Sequence, residues 1–239
     1  MSLDWILKIV EENWPMFLRG AGMTLLISLV GTIIGAIIGL LAGVIRTIPA
    51  PTRMGQRTLL NGANLLLTVY IEIFRGTPMI VQAMVIYYGS ALGLGLDMNV
   101  LTAAFLIVSI NTGAYMAEIV RGGILSIDKG QFEAAQAIGM NHMQMMMNIV
   151  LPQVVRNILP ATGNQFVINI KDTSVLNVIS VSELYFLTKS VAGNNFRYFE
   201  SFFVACVIYL VMTLTVTRIL RHFEKKLDGQ KSYTMEPAR

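Results

Sequence analysis

The feature that most constrains this chain is a series of long apolar runs, each close in length to a membrane-crossing helix. The run from 23 to 45 contains no charged residue at all. About 20 such residues suffice for a helix to cross roughly 30 Å of hydrocarbon. Because every backbone polar group must be satisfied within the bilayer, runs of this kind fold as helices. Only 13% of the 239 residues are charged, whereas soluble domains carry about a quarter, so a soluble globular fold is excluded.

We predict an all-α fold: a polytopic membrane helical bundle with five transmembrane helices. The predicted spans are 23–45, 60–88, 100–120, 158–179 and 199–220. Within the second span, Gly76 and Pro78 predict a break, because proline lacks the backbone N–H that a helix needs. Broken helices at membrane depth tend to line cavities.

The N-terminal residues predict a separate amphipathic helix that lies in the membrane interface. Apolar residues recur there at helical spacing: Leu3, Ile6, Leu7, Val10 and Trp14. Acidic residues at 4, 11 and 12 argue against a cleavable signal peptide. We expect Pro15 to end this helix. The predicted divisions are therefore an interfacial helix at 1–16, a membrane domain at 17–225 and a cytoplasmic tail at 226–239.

Positive charges predict the orientation of the chain. Segments 46–57, 121–156 and 218–239 hold 12 of the 18 Lys and Arg residues. Such segments stay in the cytoplasm, so the C-terminus is predicted inside and, with five spans, the N-terminus outside. The net charge of +4 follows from insertion and anionic lipid, and it needs no nucleic acid.

Glycine and methionine form two patterns that each allow two interpretations. Gly31, Gly35, Gly39 and Gly43 stand four apart, so they form one helix face that a neighbouring backbone can approach closely. This face serves either packing within the bundle or a moving interface of a transporter. The methionines at 143, 145, 146 and 147 form either an adaptable protein-binding surface or a patch that packs onto the bundle.

The predicted cytoplasmic loop at 121–156 has its own helical structure. Asp128 can cap a run of good helix formers at 131–138. Gly139 then ends that helix and permits a left-handed turn. Asn141 begins a second helical stretch, which we expect to stop near Pro152. The loop is thus predicted to be helix–glycine–helix.

Several short segments of this loop resemble the EAA signature of ABC-importer permeases. The matching residues are Glu133, Ala134 and Ala135, then Gly139, and then Ile149 with Leu151 and Pro152. In that family the loop sits in a groove of a separate ATPase. The resemblance implies that the ATPase-coupling residues are Glu133, Ala134, Ala135, Gly139, Asn141 and His142. A generic amphipathic loop helix is the alternative.

Four further segments narrow the resemblance to the permeases of polar amino acids, the histidine/glutamine/arginine class. They are 72–78 with Val81 and Gln82, 110–115 continuing through Glu118 to Gly122, 171–174, and 197–200. The resemblance implies a type I importer permease of the bacterial cytoplasmic membrane. It implies as partners two ATP-binding subunits, an extracytoplasmic amino-acid-binding protein and a second permease, either another copy or a related subunit.

Charged and polar residues inside the predicted spans are candidates for the substrate pathway, because such residues are costly in hydrocarbon. Asp172 would receive an amino group, and Asn111 would add amide hydrogen bonds. The full candidate set is Asp172, Asn111, Lys171, Thr173, Ser174, Arg75 and Thr77. The structural alternatives are ion pairs of Lys171 with Glu118 or Glu72, and of Arg75 with Glu72. Glu183 and Glu200, on the outer side, are expected to be solvated loop residues, and the alternative is that they help to receive a binding protein.

The sequence contains no motif for catalysis, for a metal or for a cofactor. It has no phosphate-binding loop, no metalloprotease motif and one cysteine, Cys206. The chain is therefore predicted not to be an enzyme, and ATP and Mg are expected in the partner ATPase. Two other functions stay open. One is a secondary transporter or channel subunit that is driven by an ion gradient through Asp172 and Glu118, and the other is a membrane scaffold.

Overall fold

The computed structural model describes residues 3–227, which form nine α-helices with one π-helical and one 3₁₀ segment and include no strand. The helices are α1 (Leu3–Ile45), α2 (Met54–Gly76), α3 (Met79–Leu94), α4 (Val100–Leu125), α5 (Lys129–Ala137), α6 (His142–Met145), α7 (Leu151–Asp172), α8 (Leu184–Asn195) and α9 (Tyr198–Leu227). The π-helical segment is Met146–Val150, and the 3₁₀ segment is Thr173–Ile179. The predicted all-α class is confirmed.

Three helices, α1, α4 and α9, are each long and apolar enough to cross a membrane. The chain bends by 116° between α2 and α3, and by 57° between the 3₁₀ segment and α8. If each bent pair counts as one span, the described residues provide five spans, which is the predicted number. The predicted break in the second span is also confirmed, because α2 ends at Gly76 and α3 begins at Met79.

The centre of the fold is the close pair of α1 and α4. The glycine stripe of α1 lies against Val108, Thr112, Met116 and Val120 of α4. A Cβ atom on Gly39 would lie 2.3 Å from the Cβ atom of Met116 and 2.7 Å from its carbonyl carbon, far inside van der Waals contact. The stripe therefore packs α1 against α4 within one chain, which is the first of its two predicted roles.

The remaining helices surround this pair. α2 packs on it through Ile71, which contacts Ala42 of α1 and Ala117 of α4. α7 packs on it through Val154 and Ile158. The N-terminal half of α1 lies in a separate apolar cluster with α8 and α9, and its main members are Ile9, Phe17, Leu184, Val191, Val204 and Met212.

The predicted end of the first helix at Pro15 is wrong, since α1 is continuous for 43 residues with Pro15 inside it. Ile9 and Phe17, on either side of the proline, are both buried in the cluster with α8 and α9. That packing favours one unbroken helix and outweighs the lost hydrogen bond. At about 1.5 Å per residue, α1 is far longer than the hydrocarbon is thick. An interfacial position for the segment 1–16 stays a prediction.

Other boundaries also differ from those predicted. The second loop helix does not stop at Pro152, because the chain stays helical from His142 to Ile179. Pro152 follows a π-helical turn, in which the N–H of Leu151 donates to the carbonyl of Met146, five residues back. α8 was not predicted at all. α9 continues through Leu227, and the rest of the predicted tail at 226–239 lies outside the described residues.

Candidate functional site

The loop between α4 and α7 begins with a capped helix and a tight turn. The Asp128 carboxylate accepts from the N–H of Gly130 at 2.7 Å and so caps α5. At the other end of α5, the N–H of Met140 donates to the Ala135 carbonyl, and the N–H of Gly139 donates to that of Gln136. This pair of bonds is the Schellman motif, which needs a left-handed residue. Gly139 supplies it, with a φ of +80°.

The second arm of the loop starts with a reciprocal cap. The Asn141 side chain accepts from the N–H of Gln144, and the Gln144 side chain accepts from the N–H of Asn141, both at 2.9 Å. This is a capping box built with amides. The predicted helix–glycine–helix form of the loop is therefore confirmed, although its second arm runs directly into α7.

The loop has a buried face and an exposed face. Ala135, Met145 and Met146 are almost fully buried against α4 and α7. The exposed face carries Glu133, Ala134, Ile138, Gly139, Asn141, Met143 and Met147, and His142 is half-buried. Met145 and Met146 thus pack onto the bundle, as one of the two predictions for the methionine cluster states, while a protein-binding role of the exposed Met143 and Met147 stays a prediction. Ala135, which was predicted to couple to an ATPase, faces the bundle and anchors α5 to it.

A buried amide network holds the break between α2 and α3. The Gln82 Nε2 donates to the carbonyls of Phe74 and Thr77 and to the Thr77 hydroxyl, each at 2.9 Å. The Asn111 Nδ2 donates in turn to the Gln82 Oε1 at 2.9 Å. The carbonyl of Phe74 would bond to residue 78 in an unbroken helix, but Pro78 has no N–H. Asn111 and Thr77, both pathway candidates, therefore hold the break, and their contact with substrate stays a prediction.

None of the predicted alternative ion pairs forms within residues 3–227. Glu118 pairs with Arg46 and, at 2.9 Å, with Arg121, so it joins the end of α1 to α4. Arg75 places its guanidinium over the Tyr115 ring, 5.6 Å from the ring centre. Glu72 and Lys171 take part in no ion pair of the described chain. The predicted alternative, in which Lys171 and Arg75 form ion pairs that stabilise the bundle, is therefore wrong.

The remaining pathway candidates lie where α7 gives way to the 3₁₀ segment. Lys171 and Asp172 are exposed, and Thr173 is buried. Thr173 and Ser174 donate their hydroxyls to the carbonyls of Ile170 and Lys171. Lys171 and Ser174 also line a cavity of about 340 Å³, with Tyr185, Phe202, Ala205, Cys206 and Tyr209. The structure thus brings a cation and a hydroxyl together beside aromatic rings.

The expectation that Glu183 and Glu200 are solvated loop residues is wrong. Glu183 is fully buried, and Glu200 is nearly so. The Glu183 carboxylate accepts from the N–H groups of Tyr185 and Phe186 and from the Tyr209 hydroxyl at 3.0 Å. It therefore caps α8 and ties it to α9. Glu183 stands directly before an apolar run, which is a signal for the start of a helix, but α8 was not predicted from it.

A second buried polar cluster, which no sequence pattern predicts, joins α1, α4 and α7. The Asn169 Nδ2 of α7 donates to the hydroxyls of Thr32 in α1 and Thr112 in α4, at 2.8 and 2.9 Å. All three residues are buried. No group of three His, Cys, Asp or Glu residues that could hold a metal ion occurs among residues 3–227.

The two broken helical segments, the close α1–α4 pair and the ordered loop before α7 together define a permease of the type I ABC-importer class. The chain belongs to the family of binding-protein-dependent transport system inner membrane components, which matches residues 59–229. It is 40% identical over 228 residues to the glutamine transport system permease protein GlnP of Escherichia coli (strain K12), covering 95% of this chain and 99% of that protein.

Two further comparisons agree with this family. The arginine transport system permease protein ArtQ of Bacillus subtilis (strain 168) is 36% identical over 160 residues, which cover 67% of this chain and 73% of that one. A crystal structure described as an amino acid ABC transporter with histidines superposes with a TM-score of 0.80 at 34% identity, covering 95% and 100% of the two chains. The prediction of an ABC-importer permease is confirmed over the gradient-driven carrier.

Proposed function

We propose that this chain is the membrane-spanning subunit of an ATP-driven importer of polar or charged amino acids. The observation that carries the proposal is the ordered loop between α4 and α7, whose exposed face is free while its buried face is fixed to the bundle. A gradient-driven carrier has no use for such a loop. The substrate class is supported by the similar proteins, which are described as glutamine and arginine permeases.

The proposed partners follow from the family. Two ATP-binding subunits would hold ATP and Mg and would each dock against the loop of one permease. A second permease, either another copy or a related subunit, would complete the pathway, and an extracytoplasmic protein would deliver the amino acid. We place the chain in the bacterial inner membrane with its N-terminus outside and its C-terminus inside, because the basic segments favour that orientation.

The proposed residue roles divide between the loop and the membrane. Glu133, Ala134, Gly139, Asn141 and His142 would contact or shape the surface that meets the ATPase. In the membrane, Asp172 is exposed and takes part in no ion pair of residues 3–227, which suits a group that receives the amino end of a substrate. The Lys171 ammonium would attract its carboxylate.

Reconstitution into liposomes tests the proposal. The permease, its ATPase and its binding protein are assembled in vesicles and supplied with labelled glutamine, histidine or arginine. We expect uptake of at least one of these amino acids that requires ATP and the binding protein. Uptake that needs only a sodium or proton gradient would contradict the proposed mechanism.

A further inference from the structure

One face of α2 carries a continuous polar stripe whose purpose the fold does not explain. At 100° per residue, five polar side chains fall within an arc of roughly 60°. These residues are Arg57, Asn61, Thr68, Glu72 and Arg75. The stripe runs from near the start of the helix to the last turn before the break, and the distance from Arg57 to Glu72 is roughly 22 Å along the axis.

The stripe is separate from the two other faces of α2. The face that packs on the bundle carries Leu67, Tyr70 and Ile71. A third face is exposed and apolar, with Leu59, Leu66 and Ile73 all more than half exposed. The apolar face is suited to lipid. The polar face is suited to neither the core nor lipid, so it must meet water or another protein.

The charges at the end of the stripe favour water. Glu72 and Arg75 are exposed, and an ionised side chain is costly in hydrocarbon unless it is paired or hydrated. The two lie one turn apart, with Cβ atoms about 5–6 Å from each other, yet no ion pair joins them in the part of the chain that the structure describes. Arg75 instead rests over the Tyr115 ring. The two opposite charges therefore lie one turn apart near the helix break with no ion pair between them.

A free amino acid carries an ammonium group and a carboxylate on adjacent atoms. A carboxylate and a guanidinium on neighbouring turns can bind both, since guanidinium forms a planar fork that fits a carboxylate. We propose that the polar face of α2 is a wall of the translocation pathway, and that Glu72 and Arg75 form a second subsite for the zwitterionic end of the substrate, in addition to the one proposed at Asp172 and Lys171. The inference of the subsite depends on the proposed amino-acid transport, whereas the inference that α2 lines the pathway does not depend on it.

Thiol labelling of the assembled importer tests the wall. In a Cys206→Ser background, Thr68→Cys and Asn61→Cys are treated with a charged, membrane-impermeant thiol reagent, and Leu66→Cys on the apolar face of the same helix is the matched control. Because such reagents attack the thiolate in water, we expect labelling at 61 and 68 to be at least about tenfold faster than at 66. Equal, slow labelling at all three positions would overturn the inference, whether lipid or a second permease covers the stripe.

Uptake kinetics test the subsite. Loss of a hydrogen bond to a charged group predicts a KM for uptake at least about tenfold higher in Glu72→Gln, with partial recovery in Glu72→Asp. Leu66→Ala is the control, and the amount of assembled complex is measured for each variant. An unchanged KM in Glu72→Gln would overturn the subsite. If no amino acid is carried even by the unmodified importer, the proposed function fails instead, and the labelling result still stands.

Discussion

At the scale of single residues, the best-defined polar centre of this permease is Gln82. Its amide group donates to three oxygen atoms at the break between α2 and α3, and it accepts from Asn111. The proline that makes the break possible leaves carbonyls without partners at membrane depth. One buried glutamine therefore compensates for much of the cost of interrupting a helix there.

We expect Gln82→Leu to destabilise the permease by about 1–3 kcal/mol, because buried carbonyls lose their donor. The effect is measured as a lower Tm of the purified protein in detergent. Gln56→Leu provides the matched control, because it makes the same substitution at an exposed position of α2, the other helix of the broken pair. Equal Tm values for the two variants would contradict the assigned role.

Asp172 gives the corresponding prediction for function. The side chain is exposed and takes part in no ion pair among the residues described, so removal of its charge breaks no observed contact. Asp172→Asn is therefore expected to lower uptake at least about tenfold if the carboxylate binds the substrate, while the assembled complex keeps its Tm. A variant that assembles normally and transports normally would remove Asp172 from the pathway.

At the scale of helices, the glycine face of α1 is the element most sensitive to change. Each of the four glycines faces a side chain of α4 at a distance that leaves no room for a methyl group. Thr32, between the first two glycines, also hydrogen-bonds to Asn169. The α1–α4 pair thus combines backbone proximity with a buried polar tie to α7.

Gly39→Ala should therefore force α1 away from α4. Overpacking of this kind costs about 1–3 kcal/mol, and we expect a lower yield of folded permease in membranes and a lower Tm. Gly22→Ala is an unusually close control, because it makes the same substitution in the same helix at a position with no neighbour within 4 Å of the added carbon. If both variants behave alike, the contact at Gly39 does not limit stability.

The helices also illustrate which features can be predicted from sequence. The turn at Gly139 and the break at Pro78 were predictable because their causes are local: a residue that tolerates positive φ, and a residue without an N–H. The continuity of α1 through Pro15 was not predictable, since it depends on packing against α8 and α9. The burial of Glu183 likewise depends on Tyr209, 26 residues away along the chain.

The site was predictable to a similar extent. The loop residues carry a family signature, so their role in coupling could be inferred, but the inward direction of Ala135 follows only from the fold. Asn111 was recognised as a polar residue in a span, while its bond to Gln82 depends on how α3 folds back at the break. The polar face of α2 was not predicted, because only the structure separates it from the face that packs on α4.

At the scale of the whole molecule, the loop is packed in a way that would let the proposed ATPase move the membrane helices. Its buried face, with Ala135, Met145 and Met146, belongs to the same apolar cluster as residues of α4 and α7. α4 in turn packs closely on α1. We therefore expect a displacement of the exposed face of the loop to be transmitted to the central helices, because no flexible linker separates the loop from them.

This arrangement predicts that changes on the exposed face weaken association with the ATPase and leave the permease folded. Glu133 is exposed on α5 and has no ion-pair partner within residues 3–227, so Glu133→Lys disturbs no internal contact but reverses a charge at the proposed interface. We expect at least about tenfold less ATPase to co-purify, in line with the loss of a close charge pair across an interface.

The matched control is Glu11→Lys, which reverses an exposed charge on α1 away from the loop. Both variants should keep the Tm of the unmodified permease, because an exposed charge contributes little to stability. Weakened association that is specific to Glu133→Lys, together with lost ATP-dependent uptake, would identify the loop as the coupling surface. Unchanged co-purification would contradict the proposed docking of the ATPase on the exposed face of the loop.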